Sequence, residues 1–408
     1  MGYTALATAF SGIASNLLHN GRTVHHRLKV PLKIEQNSFC PISKRSNLAH
    51  LLRQSKLLII DEMSMGHRYV FEAIDRTLRV LRDAPDTLFG GLTVIMSGDW
   101  TQIPPVIKRG SKADIIGATL KFSFIYRSSE KTSFSRNLRA NSDPSYASYL
   151  KSVSIGSNID VDGKVALPHS TILNVENPQR QDKMLSLCDW VFDGINGNHD
   201  PQWLTERAII CPLNEMVDKV NKHVMNRIPG VIHNLKSADS VDENHQLYPT
   251  EFLNSLSVSG LPPHNLELKV GAPIMLIRNI DTVKGHCNGS KYIVKEIRPH
   301  VISALTMNGP QKGHILFIPR IPMSPSSTTF PFVLTRVQFP IKPCFSITAN
   351  KSQGQTLRKV GLHLEHKEFF AHGQLNVSLS RVQREDDIKI ILPEKTDRTT
   401  NVVYKELL

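Results

Sequence analysis

The sequence predicts an α/β protein of two parallel-sheet domains, the second carrying a small β-rich insertion. Three observations lead there. Short apolar runs alternate with amphipathic helical stretches over most of the chain, the pattern of a parallel sheet covered by helices. The strand-and-helix unit recurs well downstream of its first appearance, which implies a second domain. Between about residues 280 and 340 the pattern changes to short β-type runs broken by Gly, Pro and Ser clusters, which implies an insertion.

Taken in order, Leu57 to Ile60 is a continuous apolar run, expected as a strand buried on both faces. Val70, Phe71, Ile74, Leu78 and Leu81 then fall at helical spacing while Arg76, Arg79 and Arg82 lie towards the other side, predicting a helix that packs inward. Leu92 to Met96 is expected as a second buried strand and Ala208 to Cys211 as a third, followed by a helix with Met216, Val217, Val220, Val224 and Ile228 on one face. Tyr292 to Ile297, His314 to Ile318 and Phe332 to Val337 supply the insertion. The α/β pattern returns with Phe345 to Ile347, Val360 to Leu364, a helix through Leu375 to Leu379 and a last strand at Ile388 to Leu392. The predicted divisions are 1–134, 135–280, 281–339 and 340–408.

Composition narrows the function classes. The 408 residues are 40% apolar and 21% charged, which excludes disorder and collagen-like order. Lys plus Arg exceeds Asp plus Glu by 49 − 36 = 13, an excess that favours a polyanionic partner such as nucleic acid over a merely basic surface. The five cysteines are far apart with no Cys-x-x-Cys pair, pointing away from zinc or a redox dithiol and towards a reducing compartment. No apolar run approaches the roughly 18 residues of a membrane span, and no secretory signal opens the chain. The expectation is a soluble, intracellular protein with no membrane partner.

Four segments carry possible chemistry. Leu57-Leu58-Ile59-Ile60-Asp61-Glu62 ends an apolar strand in two carboxylates, where an open parallel sheet gathers its ligands. Asp61 can hold Mg2+ and Glu62 can orient and deprotonate water. An apolar strand running into a solvated acidic turn is the plainer alternative. After the next strand, Ser97-Gly98-Asp99-Trp100-Thr101-Gln102 offers an amide able to bond a phosphate oxygen and a water, or simply a Gly-Asp turn. Thr348-Ala349-Asn350-Lys351-Ser352-Gln353-Gly354-Gln355-Thr356 loads a strand end with donors, and Gly354 allows close backbone approach. Arg381 closes His372-Gly373-Gln374-Leu375 to Ser380-Arg381, placed either to reach a nucleotide or to satisfy helix C-terminal carbonyls.

Together and in this order these segments resemble the PIF-type (petite integration frequency) superfamily one DNA helicases, particularly the Helitron-helicase-like subgroup. Ser11-Gly12-Ile13-Ala14 and Gly21-Arg22-Thr23-Val24-His25 resemble motif Ia, Asp61 to Met65 motif II, and Gly98 to Gln102 motif III with Trp100 where phenylalanine is usual. Asn137-Leu138-Arg139 is similar to motif IV, Thr348 to Thr356 to motif V, and His372 to Arg381 to motif VI with Asn376 in place of a usual aromatic. Leu268 to Asn279 followed by Cys287-Asn288-Gly289 is similar to a family signature that leads into the insertion and argues against a RecD-like relative.

The resemblance implies two RecA-like domains of the P-loop NTPase fold, the first incomplete, with a small β-barrel insertion in the second. It implies ATP and Mg2+ in the cleft between them, and ATP-driven 5′-to-3′ translocation on single-stranded DNA with duplex unwinding. DNA junctions or forks are implied substrates, in repair, recombination, telomere maintenance or rolling-circle transposition. The implied catalytic set is Asp61 on Mg2+, Glu62 as base, Gln102 as phosphate sensor, and Arg139 and Arg381 as charge stabilisers, with Gly354 also at the nucleotide. Ser11, Thr23, His25, Thr348, Lys351, Ser352 and Gln353 are the implied DNA contacts, in a nuclear, monomeric protein. No Gly-x-x-x-x-Gly-Lys-Ser/Thr loop occurs in the 408 residues, and the resemblance places that loop upstream of Met1. The expectation is an open sheet edge in the first domain, and the alternative function is an inactive nucleic-acid-binding fragment.

Overall fold

The first sheet has four parallel strands in the order Arg22–Thr23, Thr4–Ala9, Ser55–Asp61 and Thr93–Met96. The structure is a computed structural model, and it describes residues 3–134, 137–174, 182–197, 200–241, 248–325, 330–393 and 396–408. Because strand side chains alternate between faces, Leu6, Leu58 and Ile60 share one side, where they join a buried cluster with Val70, Phe71, Ile74 and Leu78 of the helix Arg68–Leu81. The opposite side is only partly covered. Leu57 and Ile59 are half-buried and Ile95 is 51% exposed. This corrects the expectation of strands buried on both faces. The helices Asn47–Gln54 and Arg68–Leu81 pack into that one cluster, and Thr93–Met96 pairs only with Ser55–Asp61, leaving an open edge among the described residues.

The second sheet is also parallel, in the order Ser346–Thr348, Arg207–Cys211, Lys359–His363 and Ile388–Ile391. Here both faces are covered. Ile209 and Cys211 pack with Leu187 and Val191 and with Val217, Val220 and Val224, while Ala208 and Ile210 turn towards Tyr146, Leu150, Val153, Leu375 and Leu379. The helix Pro144–Ile155 starts where Asp143 Oδ1 accepts the Tyr146 N–H at 3.0 Å and Pro144 fills the first turn without losing a hydrogen bond. Its Tyr146 hydroxyl donates to Leu379 O at 2.9 Å, fixing this helix against Gln374–Leu379.

Antiparallel strands lie between these parallel elements. One sheet runs Ile315–Pro319, Val301–Thr306, Lys291–Ile297, Pro273–Leu276, Ile341–Pro343; a second runs Ile321–Met323, Leu334–Gln338, Ala238–Val241; a third pairs His233–Lys236 with Asn265–Leu268. Since Pro273–Leu276 pairs with both Lys291–Ile297 and Ile341–Pro343, one sheet crosses the predicted divisions at 280/281 and 339/340. The Asn308-Gly309-Pro310 stretch lies in the connection between Val301–Thr306 and Ile315–Pro319 of that sheet. The described pairings give open sheets of five, three and two strands.

Arg336 and Asp239 face each other across two of these strands with side chains 1% and 0% exposed, Arg336 Nη2 and Asp239 Oδ2 being 2.6 Å apart. The remaining guanidinium donors reach Pro262 O and Leu253 O. Removing one partner strands a buried charge, so Arg336→Ala should cost about 3–5 kcal/mol in urea unfolding. A loss under ~1 kcal/mol would contradict this, being what a surface ion pair gives. The five cysteines are buried and unpaired. No helix among the described residues is long and apolar enough to cross a membrane.

Candidate active site

The carboxyl ends of Thr4–Ala9, Ser55–Asp61 and Thr93–Met96 stop side by side, and the loops beyond them hold the acidic pair and the Gly-Asp segment. Met63 N–H donates to Ser97 O at 2.8 Å and Ser97 N–H to Ile60 O at 3.0 Å, so the two loops are stitched together. Asp61 Oδ1 accepts from the Ser97 hydroxyl at 2.7 Å and from the Glu62 N–H at 2.9 Å, which fixes its rotamer at the strand end. Glu62 follows with φ 55, a left-handed backbone that a side chain adopts only when its surroundings hold it. That turn carries the Glu62 carboxylate away from the strand and towards the second domain.

There it meets Gln353, whose Nε2 donates to Glu62 Oε2 at 3.4 Å. Burial raises the Glu62 carboxyl above its ordinary value and Asp61 pushes the same way, while the Gln353 amide and the Arg381 guanidinium oppose them. A Cβ on Gly354 would lie 3.8 Å from Ser11 Oγ and 3.9 Å from Glu62 Oε1, so both domains close on this spot. Arg139 is held by Thr356 Oγ1 at 3.1 Å and Ser380 O at 3.2 Å, and the Glu62 charge acts on it. Acid and guanidinium therefore face one cleft, from different domains.

The Gly-Asp loop is fixed from the far side. Gln102 Nε2 donates to Asp99 Oδ2 at 3.2 Å, and its Oε1 is buried with no partner, as is Gln353 Oε1. Two orphaned amide oxygens, one from each domain, suit water or another donor brought in by a ligand. Asn376 Nδ2 donates to Thr101 O at 3.1 Å and Thr101 Oγ1 at 3.0 Å. His372 Nδ1 accepts the Tyr404 N–H at 2.8 Å, leaving Nε2–H to donate to Trp100 O, also at 2.8 Å. A Cβ on Gly373, at φ 74, would sit 2.6 Å from Gln102 C, so only glycine allows the loops to touch. These interdomain links were not identified from sequence. Asn376, read there only as a departure from an aromatic, is the residue that could have signalled them.

Several expected contacts take other places. Ser352 is fully buried with its hydroxyl on Ala349 O at 2.8 Å, and Gln353 is 2% exposed and turned to Glu62. This corrects the expectation that they face a nucleic-acid strand, because neither has surface to offer. Ser11 and Thr23 cap short helices through the N–H groups of Ala14 and His26, and His25 packs edge-on to Phe10 with ring centroids 6.2 Å apart. Thr348 is half-buried at the start of Ala349–Ser352 and Lys351 is exposed. Arg381 is 1% exposed and gives its donors to Val377 O, Ser352 O, Gln355 O and Ser380 Oγ. The helix-carbonyl alternative thus describes Arg381 in this state. Burial, and then Arg139, push its guanidinium down to about 9, so it still carries charge at neutral pH.

The residues present fit the metal and terminal-phosphate end of a nucleotide: a fixed carboxylate, a poised acid, two unsatisfied amide oxygens and a guanidinium. One further contact spans the domains. A Cβ on Gly12 would fall 2.7 Å from Asn288 O, and Asn16 Nδ2 donates to Gly285 O at 3.0 Å, docking the first domain on the Cys287-Asn288-Gly289 turn.

Comparison with known proteins agrees with this architecture. Residues 1–156 match the model of the PIF1-like helicase family, and residues 251–297 that of the 2B domain of DNA helicase Pif1. The chain is 27% identical over 399 residues to the ATP-dependent DNA helicase PIF1 of Danio rerio and 26% identical over 396 residues to that of Xenopus laevis. Each alignment covers 94% of this chain and 54% of the relative, so the chain spans about half the length of these relatives. A solved structure of two coordinating Pif1 helicases that unwind forked double-stranded DNA is similar at 25% identity and a TM-score of 0.66, covering 100% of this chain and 84% of that one.

Proposed function

We propose, from the premise that this chain belongs to the PIF1-like helicase family, that its interdomain cleft hydrolyses ATP to drive 5′-to-3′ movement on single-stranded DNA and duplex unwinding. The observation that carries this is the meeting of Glu62 from one parallel sheet with Gln353 and Arg139 from beyond the other. Asp61 would hold Mg2+, which when bound neutralises phosphate charge. Glu62 takes the proton of the attacking water; its raised carboxyl matches that role, since a base works best near the operating pH. Gln102 and Gln353 position that water through their unpartnered Oε1 atoms. Arg139 faces the charge that develops on the transferring phosphoryl group, while Arg381 acts as a positioning residue that ties Gln355, Ser352 and Ser380 together behind it.

The same proposal includes the Helitron-helicase-like subgroup, a nuclear site of action, and a phosphate-binding loop supplied from outside these 408 residues. Its test is single-strand-stimulated ATP hydrolysis and unwinding of a 5′-tailed duplex by a polypeptide that joins such a loop to this chain. Turnover indifferent to DNA, or unwinding only from 3′ tails, would refute it.

Lys351 is the proposed phosphate contact on the DNA path. The residue is exposed but its ammonium is drawn in against the protein, where burial first and then the charges of Lys342 and Arg278 lower its pKa, so basic groups from the antiparallel sheet continue the track. Each single-strand phosphate contact contributes about 0.7 to the slope of log affinity against log salt. Lys351→Ala should remove about that much and weaken all sequences alike. An unchanged slope would take Lys351 off the path.

A further inference from the structure

The strand Lys359–His363 ends in a cluster that the nucleotide cleft does not use. In His363-Leu364-Glu365-His366, alternation places positions 363 and 365 on one side, and the bend at Glu365 and His366 returns the second imidazole to them. Glu365 Oε2 lies 4.0 Å from His363 Nε2 and 3.8 Å from His366 Nε2, and one ligand atom from each residue falls within 4.8 Å of the others. Among the described residues this is the sole trio of His, Cys, Asp or Glu that converges in this way.

His363 supplies the independent sign of a ligand. It is 3% exposed, and neither ring nitrogen has a hydrogen-bond partner. A buried imidazole with both nitrogens unsatisfied is costly, and its Nε2 points to the carboxylate at 4.0 Å, beyond hydrogen-bond reach.

We propose that His363, Glu365 and His366 bind a zinc ion that pins the end of this strand to the segment leading into the helix Gln374–Leu379. Two imidazoles and a carboxylate are a donor set for borderline zinc rather than for Mg2+ or Ca2+, which take oxygen ligands. Tetrahedral zinc at its usual bond lengths needs ligand atoms about 3.4 Å apart, so the present spacings of 3.8 and 4.0 Å close by about half an ångström. The fourth position is left to water.

The test is calorimetric titration of the chelator-stripped chain with zinc chloride, with metal content counted on the same sample. The wild-type chain should take up a single zinc ion and melt at higher temperature with it. His366→Ala and Glu365→Gln change side chains that are 73% and 21% exposed, so both should fold and, without metal, melt as the wild type does. Each should weaken zinc binding by at least ~10-fold and abolish the zinc-dependent rise in melting temperature. Absence of stoichiometric uptake, or wild-type affinity in both variants, would overturn the assignment.

Discussion

Glu62→Gln, made in a polypeptide that joins a phosphate-binding loop to this chain, should lower DNA-stimulated ATP turnover by about 10²–10⁴-fold, the range a positioned base supplies. Single-strand binding should survive, since Glu62 is half-buried in the interdomain cleft on Gln353. The pH dependence has a definite sign. Burial and Asp61 raise the Glu62 carboxyl above 4.5, so wild-type turnover should fall as pH drops through a value above the ordinary glutamate range. For stability the same shift works in reverse: a carboxyl raised in the folded state favours folding below its unfolded pKa and loses that contribution as pH rises through the folded one. The Gln variant should therefore melt higher than wild type at neutral pH, a gain that disappears in acid. Wild-type turnover in this variant would remove Glu62 from the mechanism.

Arg139→Ala should cost about 10³-fold or more in turnover, as loss of an arginine that stabilises phosphoryl transfer does. Thr356 Oγ1 and Ser380 O hold its Nε and Nη1, which leaves Nη2 for the charge that develops in the cleft. Lysine offers a single charged group in place of this planar fork, so Arg139→Lys should recover little of the activity. Steady-state turnover with saturating single-stranded DNA measures both variants. A loss under tenfold for Arg139→Ala would mean that the cleft draws its positive charge from elsewhere.

Much of the fold was legible because buried parallel strands leave apolar runs that periodicity detects. Leu57 to Ile60, Ala208 to Cys211 and Ile388 to Leu392 coincide within a residue or two with Ser55–Asp61, Arg207–Cys211 and Ile388–Ile391. Coverage was less legible. Leu92 to Met96 reads as a buried strand, yet Ile95 is half exposed, because a run of apolar residues does not report which helices are there to cover it. The antiparallel sheets were also blurred: Pro273–Leu276 is a short apolar run that could belong to either neighbouring unit, and only its pairing decides.

At the site, residue type was read better than direction. Glu62 and Arg139 do act on each other across the cleft. Ser352 and Gln353 looked alike as polar donors in one loop, but one hydroxyl closes on Ala349 O and the other side chain crosses to Glu62. Arg381 shows the same limit, since its donors bond the carbonyls of its own domain. The Asn376 and His372 links to the Thr101 loop depend on two distant segments touching, which spacing along one chain does not encode.

The most direct measurement is a solved complex of a polypeptide that joins a phosphate-binding loop to this chain, with a non-hydrolysable ATP analogue and single-stranded DNA. One terminal phosphate should lie between a metal on Asp61 and the guanidinium of Arg139, with Glu62 beside it. A nucleotide bound elsewhere, or Asp61 and Arg139 lining separate hollows with no phosphate between them, would contradict the account.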